Sequence, residues 1–310
     1  GFNRMARNLL PDQAAFSPKH GNHPSDHFGV ATFRGDGTAD NTKSVTTTCQ
    51  PDMVWIKGRE NSAYFWRAFT PTLKSGNDFI PYFLGSTTQA VDYANNDSIQ
   101  VSSNAFTLGD VASAGSGEAR GGINRNGEDM LAIYWKLGGN PVTNPNGSIS
   151  STISVNTTTQ ISNVLYNATN ATGTIGHGLN GPPDVAILSE TGGSTNYNIW
   201  VWSRKLSGTN GGAGFWSGMN NTTAWQNTYT IFNGGVTNTT VGWTGSNSAN
   251  YGNHAGQFNI TFFKEVPGFS KFGFYLGNQF NENPPEVKLG FRPKMVMIKA
   301  YNQNPSNWLI

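Results

Sequence analysis

An all-β chain built from tandem β-sandwich repeats is what the sequence predicts, on three observations. Only 12% of the 310 residues are Asp, Glu, Lys or Arg, about half the roughly 25% of an ordinary soluble domain. Gly, Asn, Ser and Thr take the place of that charge, and they make turns or favour strands. Second, Phe (19), Tyr (10) and Trp (9) supply the apolar area that a disordered chain of this polar look lacks. Apolar runs are short and bounded by Gly/Asn clusters, and helical periodicity is almost absent. Third, one motif returns three times along the chain.

That motif is Gln50-Pro-Asp-Met-Val-Trp-Ile-Lys57, Pro182-Pro-Asp-Val-Ala-Ile-Leu-Ser189 and Arg292-Pro-Lys-Met-Val-Met-Ile-Lys299. A Trp follows each at a similar distance: Trp66, Trp200 and Trp308. The matched positions of these three make them core residues. A period of about 110 to 130 residues is too long for a solenoid unit and right for a β-sandwich.

The elements follow in order. Residues 1–27 precede the first repeat and hold a polar linker, His20-Gly-Asn-His-Pro-Ser-Asp-His27. The repeat of residues 28–138 opens on Val30-Ala-Thr-Phe-Arg-Gly-Asp-Gly37, a strand ending in a Gly turn. Its Met53–Ile56 run follows a Pro, which can start a strand but cannot donate within one. Leu131-Ala-Ile-Tyr-Trp-Lys136 is a further strand. Asn140-Pro-Val-Thr-Asn-Pro-Asn-Gly-Ser148 holds Asn-Pro and Asn-Gly breakers and no apolar pattern, so 139–149 reads as a connection. The second repeat, 150–268, answers with Val164–Asn170, Asn198–Trp202, Thr228–Phe232 and Asn259-Ile-Thr-Phe-Phe-Lys264. A third copy begins with Phe272–Asn278 and Met295–Ile298 and is incomplete at 310. Two or three strands bury too little to offset the ordering entropy of 269–310. That stretch is therefore expected to be completed by further residues or by strands of a neighbouring chain. The start at Gly1 and the stop at Ile310 suggest a slice of a longer polypeptide.

Lys plus Arg is 20 and Asp plus Glu is 18, a net charge of +2, which excludes a polyanion-neutralising surface and argues against nucleic acid as partner. No apolar run approaches the roughly 18 to 20 residues of a spanning helix, so no membrane insertion is expected. Gly1-Phe-Asn-Arg-Met-Ala-Arg7 lacks the apolar h-region of a signal peptide, so none is expected in this stretch. Cys49 is the only cysteine, compatible with folding in a reducing cytoplasm.

Candidate chemistry is sparse. His20, His23 and His27 with Asp26 have a spacing that could ligate a transition metal, but on a Gly/Pro linker with no scaffold. Asp36, Asp40 and Asn41 could offer oxygens to Ca²⁺, yet no bidentate Glu follows. His177 and His254 lie outside any Gly-x-Ser-x-Gly elbow. Glu118, Glu128 and Asp129 show no partner at the spacing glycosidases need. Neither a metal nor a cofactor is therefore expected, and no enzyme. Arg34-Gly35-Asp36 is an integrin-type tripeptide that arises easily in a turn-rich chain. Asn156, Asn167, Asn170, Asn220, Asn221, Asn238 and Asn259 head glycosylation sequons that follow from composition. The best ligand candidate is the stretch 215–229, with Trp216, Trp225 and Tyr229. Aromatics flanked by amides suit sugar faces and hydroxyls, and the competing reading makes Trp216 and Trp225 core residues.

Ordered motifs along nearly the whole chain carry a resemblance. Asn8-Leu-Leu-Pro-Asp12, Asp26-His-Phe28, Phe33-Arg-Gly-Asp-Gly37, Gln50 to Lys57, Phe106-Thr-Leu-Gly109, Asn146-Gly-Ser-Ile149, Gly176-His-Gly-Leu179, Gly268-Phe-Ser-Lys-Phe-Gly273 and Gly290-Phe-Arg-Pro293 resemble tandem domains of tailed-phage virion proteins of the tail-fibre-like kind. The resemblance implies jelly-roll- or lectin-like sandwiches downstream of a SPRY- or lectin-like domain, which the segment like Gly1 to Asp12 closes in relatives, so that 1–27 would be the end of an upstream domain and a linker. It implies a particle component acting in assembly and host attachment. Other virion proteins, further copies of the chain and host surface polysaccharide would be its partners. The location implied is the virion, assembled in the host cytoplasm. A secreted bacterial carbohydrate-binding or adhesin module is the alternative, and a polysaccharide depolymerase a weaker one.

Overall fold

The computed structural model describes residues 23–38, 41–60, 66–84, 98–109, 122–192, 199–206, 214–219, 222–226, 231–245, 251–254, 256–278, 284–300 and 306–310. The fold is all-β, with several antiparallel sheets. After a 3-10 turn at Pro24–Asp26 come β1 (Phe28–Arg34), β2 (Lys43–Thr46), β3 (Met53–Gly58), β4 (Arg67–Ser75), β5 (Asp78–Phe83), β6 (Ile99–Val101), β7 (Ala105–Leu108) and β8 (Asp129–Trp135). They form one eight-stranded sheet in the order β1-β8-β3-β4-β5-β6-β7-β2. Its end strands β1 and β2 approach each other, so the sheet curls nearly into a barrel.

The next strands are β9 (Val142–Thr143), β10 (Ser151–Asn156), β11 (Ile161–Ala168), β12 (Gly173–Gly176), β13 (Val185–Gly192), β14 (Ile199–Ser203), β15 (Phe215–Gly218), β16 (Gly235–Val236), β17 (Thr240–Trp243) and β18 (Gly256–Phe263). Seven of them make a sheet ordered β15-β14-β13-β18-β11-β10-β9, and β12-β17-β16 make a third sheet. The two large sheets share an order: β1-β8-β3-β4-β5 in the first corresponds to β11-β18-β13-β14-β15 in the second.

Both large sheets are buried on two faces, which explains their unbroken apolar runs. In β3, Val54 and Ile56 enter the core inside the curled sheet with Phe69, Phe106 and Tyr134. Met53 and Trp55 point the other way, into a core shared with Ile187, Ile199 and Val201 of the second sheet. The opposite face of the second sheet carries Ala186, Leu188, Trp200 and Trp202, packed with Ile175, Val241 and Trp243 of the small sheet. The chain is thus layered, with one core inside each unit and one core between them.

A buried polar cluster sits at that middle core. Asn163 of β11 donates to Asn259 Oδ1 of β18 at 2.7 Å, and Asn259 donates to Thr72 Oγ1 of β4 at 2.7 Å. Thr72 donates back to Asn163 Oδ1. Asn163 also reaches Thr261 Oγ1 at 3.1 Å and Asn259 also reaches Thr70 Oγ1 at 3.2 Å, so the network ties β4 of the first sheet to β11 and β18 of the second.

The sequence expectations and the structure differ at four places. The connection 139–149 is stitched into the second unit, because Val142 and Thr143 pair with β10 and Gly147 bridges Ile175. Backbone pairing needs no apolar pattern. In Thr228–Phe232, residues 228–230 lie outside the described residues, and Ile231 and Phe232 form a buried turn rather than a strand. Trp200 faces the inner core, whereas Trp66 and Trp308 lie against the shared one. The hairpins set this: Ile56 pairs Arg67, so Trp66 faces one way, while Leu188 pairs Trp200 itself. One residue of offset turns a side chain to the other face. Finally, Phe272–Asn278 and Met295–Ile298 form no ladder strand, for the reason given next.

Candidate functional site

The three residues of the aromatic candidate do not form one site. Trp216 in β15 is buried, 4.9 Å from Trp200 edge-on and 5.0 Å from Tyr251. Trp225 lies half-buried against the shared core, 5.7 Å from Trp308. Tyr229 lies outside the described residues. Trp308 donates its indole N–H to Gly218 O at 3.0 Å, and the Lys299 ammonium sits 5.7 Å above the Trp308 ring. Trp225, Trp308 and Lys299 together make an aromatic and cationic surface that sequence spacing does not reveal, because Trp308 arrives from a distant segment.

The remaining candidates are held by internal contacts. His20, Asp40 and Glu118 lie outside the described residues. His23 offers its backbone N–H to Asp26 Oδ2, and His27 Nδ1 meets Asn156 Nδ2 at 3.1 Å. Burial and Lys136 lower the His27 pKa, which suits a ring nitrogen that accepts. Asp36 accepts from the Thr38 hydroxyl and amide and from Asn124 Nδ2. These donors hold its carboxyl well below the usual range. Arg34 pairs with Asp129 at 2.9 Å, so both charges of the Arg-Gly-Asp turn are engaged within the fold. Glu128 is buried, which raises its pKa. Asn259 is fully buried, closing that sequon in the folded chain. His254 Nε2 meets Glu190 Oε2 at 3.0 Å. No group of three metal-ligating side chains is gathered among the described residues.

The strongest site is an open apolar face on residues 269–310. From Phe291 to Ile298 burial alternates strictly, with Met295 and Met297 inward on the shared core and Val296 and Ile298 outward. That is strand behaviour. The motif alignment equates Val296 and Ile298 with Val54 and Ile56 and with Ala186 and Leu188. Val54 and Ile56 are 0% and 1% exposed and Ala186 and Leu188 both 0%, whereas Val296 is 47% and Ile298 37% exposed. Leu309 bridges Ile298, with the same sequence separation as Ile56 and Arg67 in the first hairpin, and is itself exposed. Phe274, Tyr275 and Leu276 add an exposed run at the place in sequence of β1 and β11. Exposed apolar side chains gathered in one stretch in this way mark a candidate interaction site.

Electrostatics distinguish this copy further. Asp52 accepts the backbone N–H of Leu137 at 2.8 Å and Gly139 at 3.3 Å, just past β8. Asp184 accepts the N–H of Glu265 at 2.8 Å, just past β18. Each acid clips the end of the strand beside its own. The third copy has Lys294 in that place, exposed.

A family model described as a domain of unknown function (DUF7483) matches residues 23–310. No curated protein and no solved structure matches the chain.

Proposed function

The chain belongs to the family of the domain of unknown function DUF7483, and from its geometry we propose that it is a non-enzymatic structural component of a phage particle. Its part is a tail fibre, spike or decoration acting in assembly and host-surface attachment. The observation that carries this reading is the open apolar face of 269–310 beside two sheets of the same strand order. We read those sheets as tandem β-sandwich repeats of one unit and 269–310 as the opening of a third. Units that join sheet to sheet through shared cores suit serial assembly. Sparse charge makes such joints insensitive to salt, and the ordered motif resemblance points to a virion. Particles purified by density gradient and labelled with antibody to this chain test the reading. Label on a particle appendage is expected; label confined to the particle-free fraction overturns it. Release of reducing ends from host polysaccharide by the purified chain would overturn the non-enzymatic part.

A second reading, a carbohydrate-binding module, is favoured by Trp225, Trp308 and Lys299 at one surface. Half-buried indoles still present one face on which a sugar can stack. On this reading Trp225→Ala abolishes retention on host polysaccharide while leaving the fold intact by circular dichroism. Unchanged retention would remove it.

A further inference from the structure

We propose that the open face of Val296, Ile298 and Leu309 is an acceptor for one β-strand of a partner polypeptide, of the kind that β8 and β18 supply to the two large sheets. The inference rests on the assembly reading and deepens it by naming what docks.

The strand order carries it. β8 lies between β1 and β3, with Ile133 opposite both Val30 and Trp55. β18 lies between β11 and β13, with Ile260 opposite both Val164 and Leu188. In each sheet the first strand and the motif strand never pair directly. A central strand joins them. In the third copy Phe272–Leu276 stands in the first position and Met295–Ile298 in the motif position. Neither has a ladder among the described residues beyond the Ile298–Leu309 bridge.

The backbone agrees with the order. Ile298 and Leu309 exchange both N–H···O bonds at 2.9 Å. Antiparallel strands alternate, so the N–H and C=O groups of Met295 and Met297 point to the opposite edge. No backbone hydrogen bond among the described residues reaches either of them. An edge with unpaired groups and an apolar outer face is a template for one more strand.

The occupant's chemistry follows from the strands that fill this place elsewhere. β8 sends Met130, Ala132 and Tyr134 to one core and Ile133 and Trp135 to the other. β18 sends Phe258, Ile260 and Phe262 to one side and Phe263 to the other. The incoming strand is therefore antiparallel to Met295–Ile298 and apolar toward Val296 and Ile298. It carries an acid just past its end, where Lys294 replaces the acids at 52 and 184. A second copy of the chain does not meet this description. Its two strands of the pattern, β8 and β18, are already hydrogen-bonded on both edges.

The test titrates the 310-residue chain with a labelled peptide copying residues 256–265, extended by terminal lysines for solubility. Saturable one-to-one binding is expected, with new amide-exchange protection at Met295 and Met297. Val296→Lys and Ile298→Lys, both at exposed positions, weaken binding by about tenfold or more. Val142→Lys, at an exposed apolar site elsewhere, leaves it unchanged. Two outcomes overturn the proposal in distinguishable ways. A dimer in sedimentation that Val296→Lys dissolves assigns the face to a second copy and leaves the assembly reading standing. No peptide binding and a monomer unaffected by either substitution removes both.

Discussion

His177 is fully buried, and both of its ring nitrogens are engaged: Nδ1 accepts the Leu179 N–H at 3.2 Å, and Nε2 faces Thr237 O at 3.3 Å. That pattern requires the neutral ring, with the proton on Nε2. Burial first, and the charge of Lys264, hold the pKa below the ordinary 6.5, against the opposing Thr237 contact. The unfolded chain therefore binds the proton more readily than the folded one. Stability is fully present above the unfolded value and falls as pH drops below 6.5 toward the folded value. Asn keeps an oxygen near the position of Nδ1 and cannot titrate, so His177→Asn flattens this part of the slope. The lost Thr237 bond costs it about 1 kcal/mol at pH 8. Urea midpoints between pH 8 and 5 measure both effects; parallel slopes for the two proteins would refute the assignment.

Strands are tied to one another by single acids as well as by ladders. Asp184 precedes β13, yet it holds the Glu265 amide beyond β18 and pairs with Arg204 beyond β14. Asp184→Ala leaves the part-buried Glu265 amide without this acceptor, while Arg204, partly exposed, returns to water. The expected loss is about 2 kcal/mol, read as a lower urea midpoint with unchanged slope. A change within error would show that the clip contributes nothing. From the sequence, Pro-Asp before an apolar run marks a strand start. The role of the Asp is not legible there, because the amide it holds lies some 80 residues away in the chain.

At the scale of the molecule, the middle core makes the two large sheets one folding unit. Trp55, Ile133 and Trp135 from the first and Ile187, Ile199 and Val201 from the second bury each other. The bonds that Thr72 makes with Asn163 and Asn259 form only when both are present. One cooperative transition follows, in place of two. Cys49 gives an internal probe: it is buried with the first sheet's own core, and burial pushes its pKa up to about 11. Its thiol should label slowly in the folded chain, with an urea midpoint equal to that of the tryptophan signal. Ile187→Ala, in the second sheet, leaves a cavity costing about 3 kcal/mol and shifts Cys49 labelling by the same amount. Labelling that ignores this substitution would show two independent domains.

The sequence by itself determined the class and many of its elements. Turn residues around short aromatic and β-branched runs mark β1, β3, β8, β11, β13, β14 and β18, because turn chemistry and side-chain alternation are local. The recurring motif likewise marks corresponding strands, and a resemblance in motif order suggested what such a chain is for. Only the tertiary structure decided what covers each face. An apolar run such as Met53–Ile56 declares that both sides are buried, but not that one side meets its own curled sheet and the other a second sheet. The similar run Met295–Ile298 carries the same local signal, yet its Val296 and Ile298 side is left open. The reason is that a strand's pattern is written in its own residues, whereas its hydrogen-bonding partners and the layer that packs on it come from segments far along the chain.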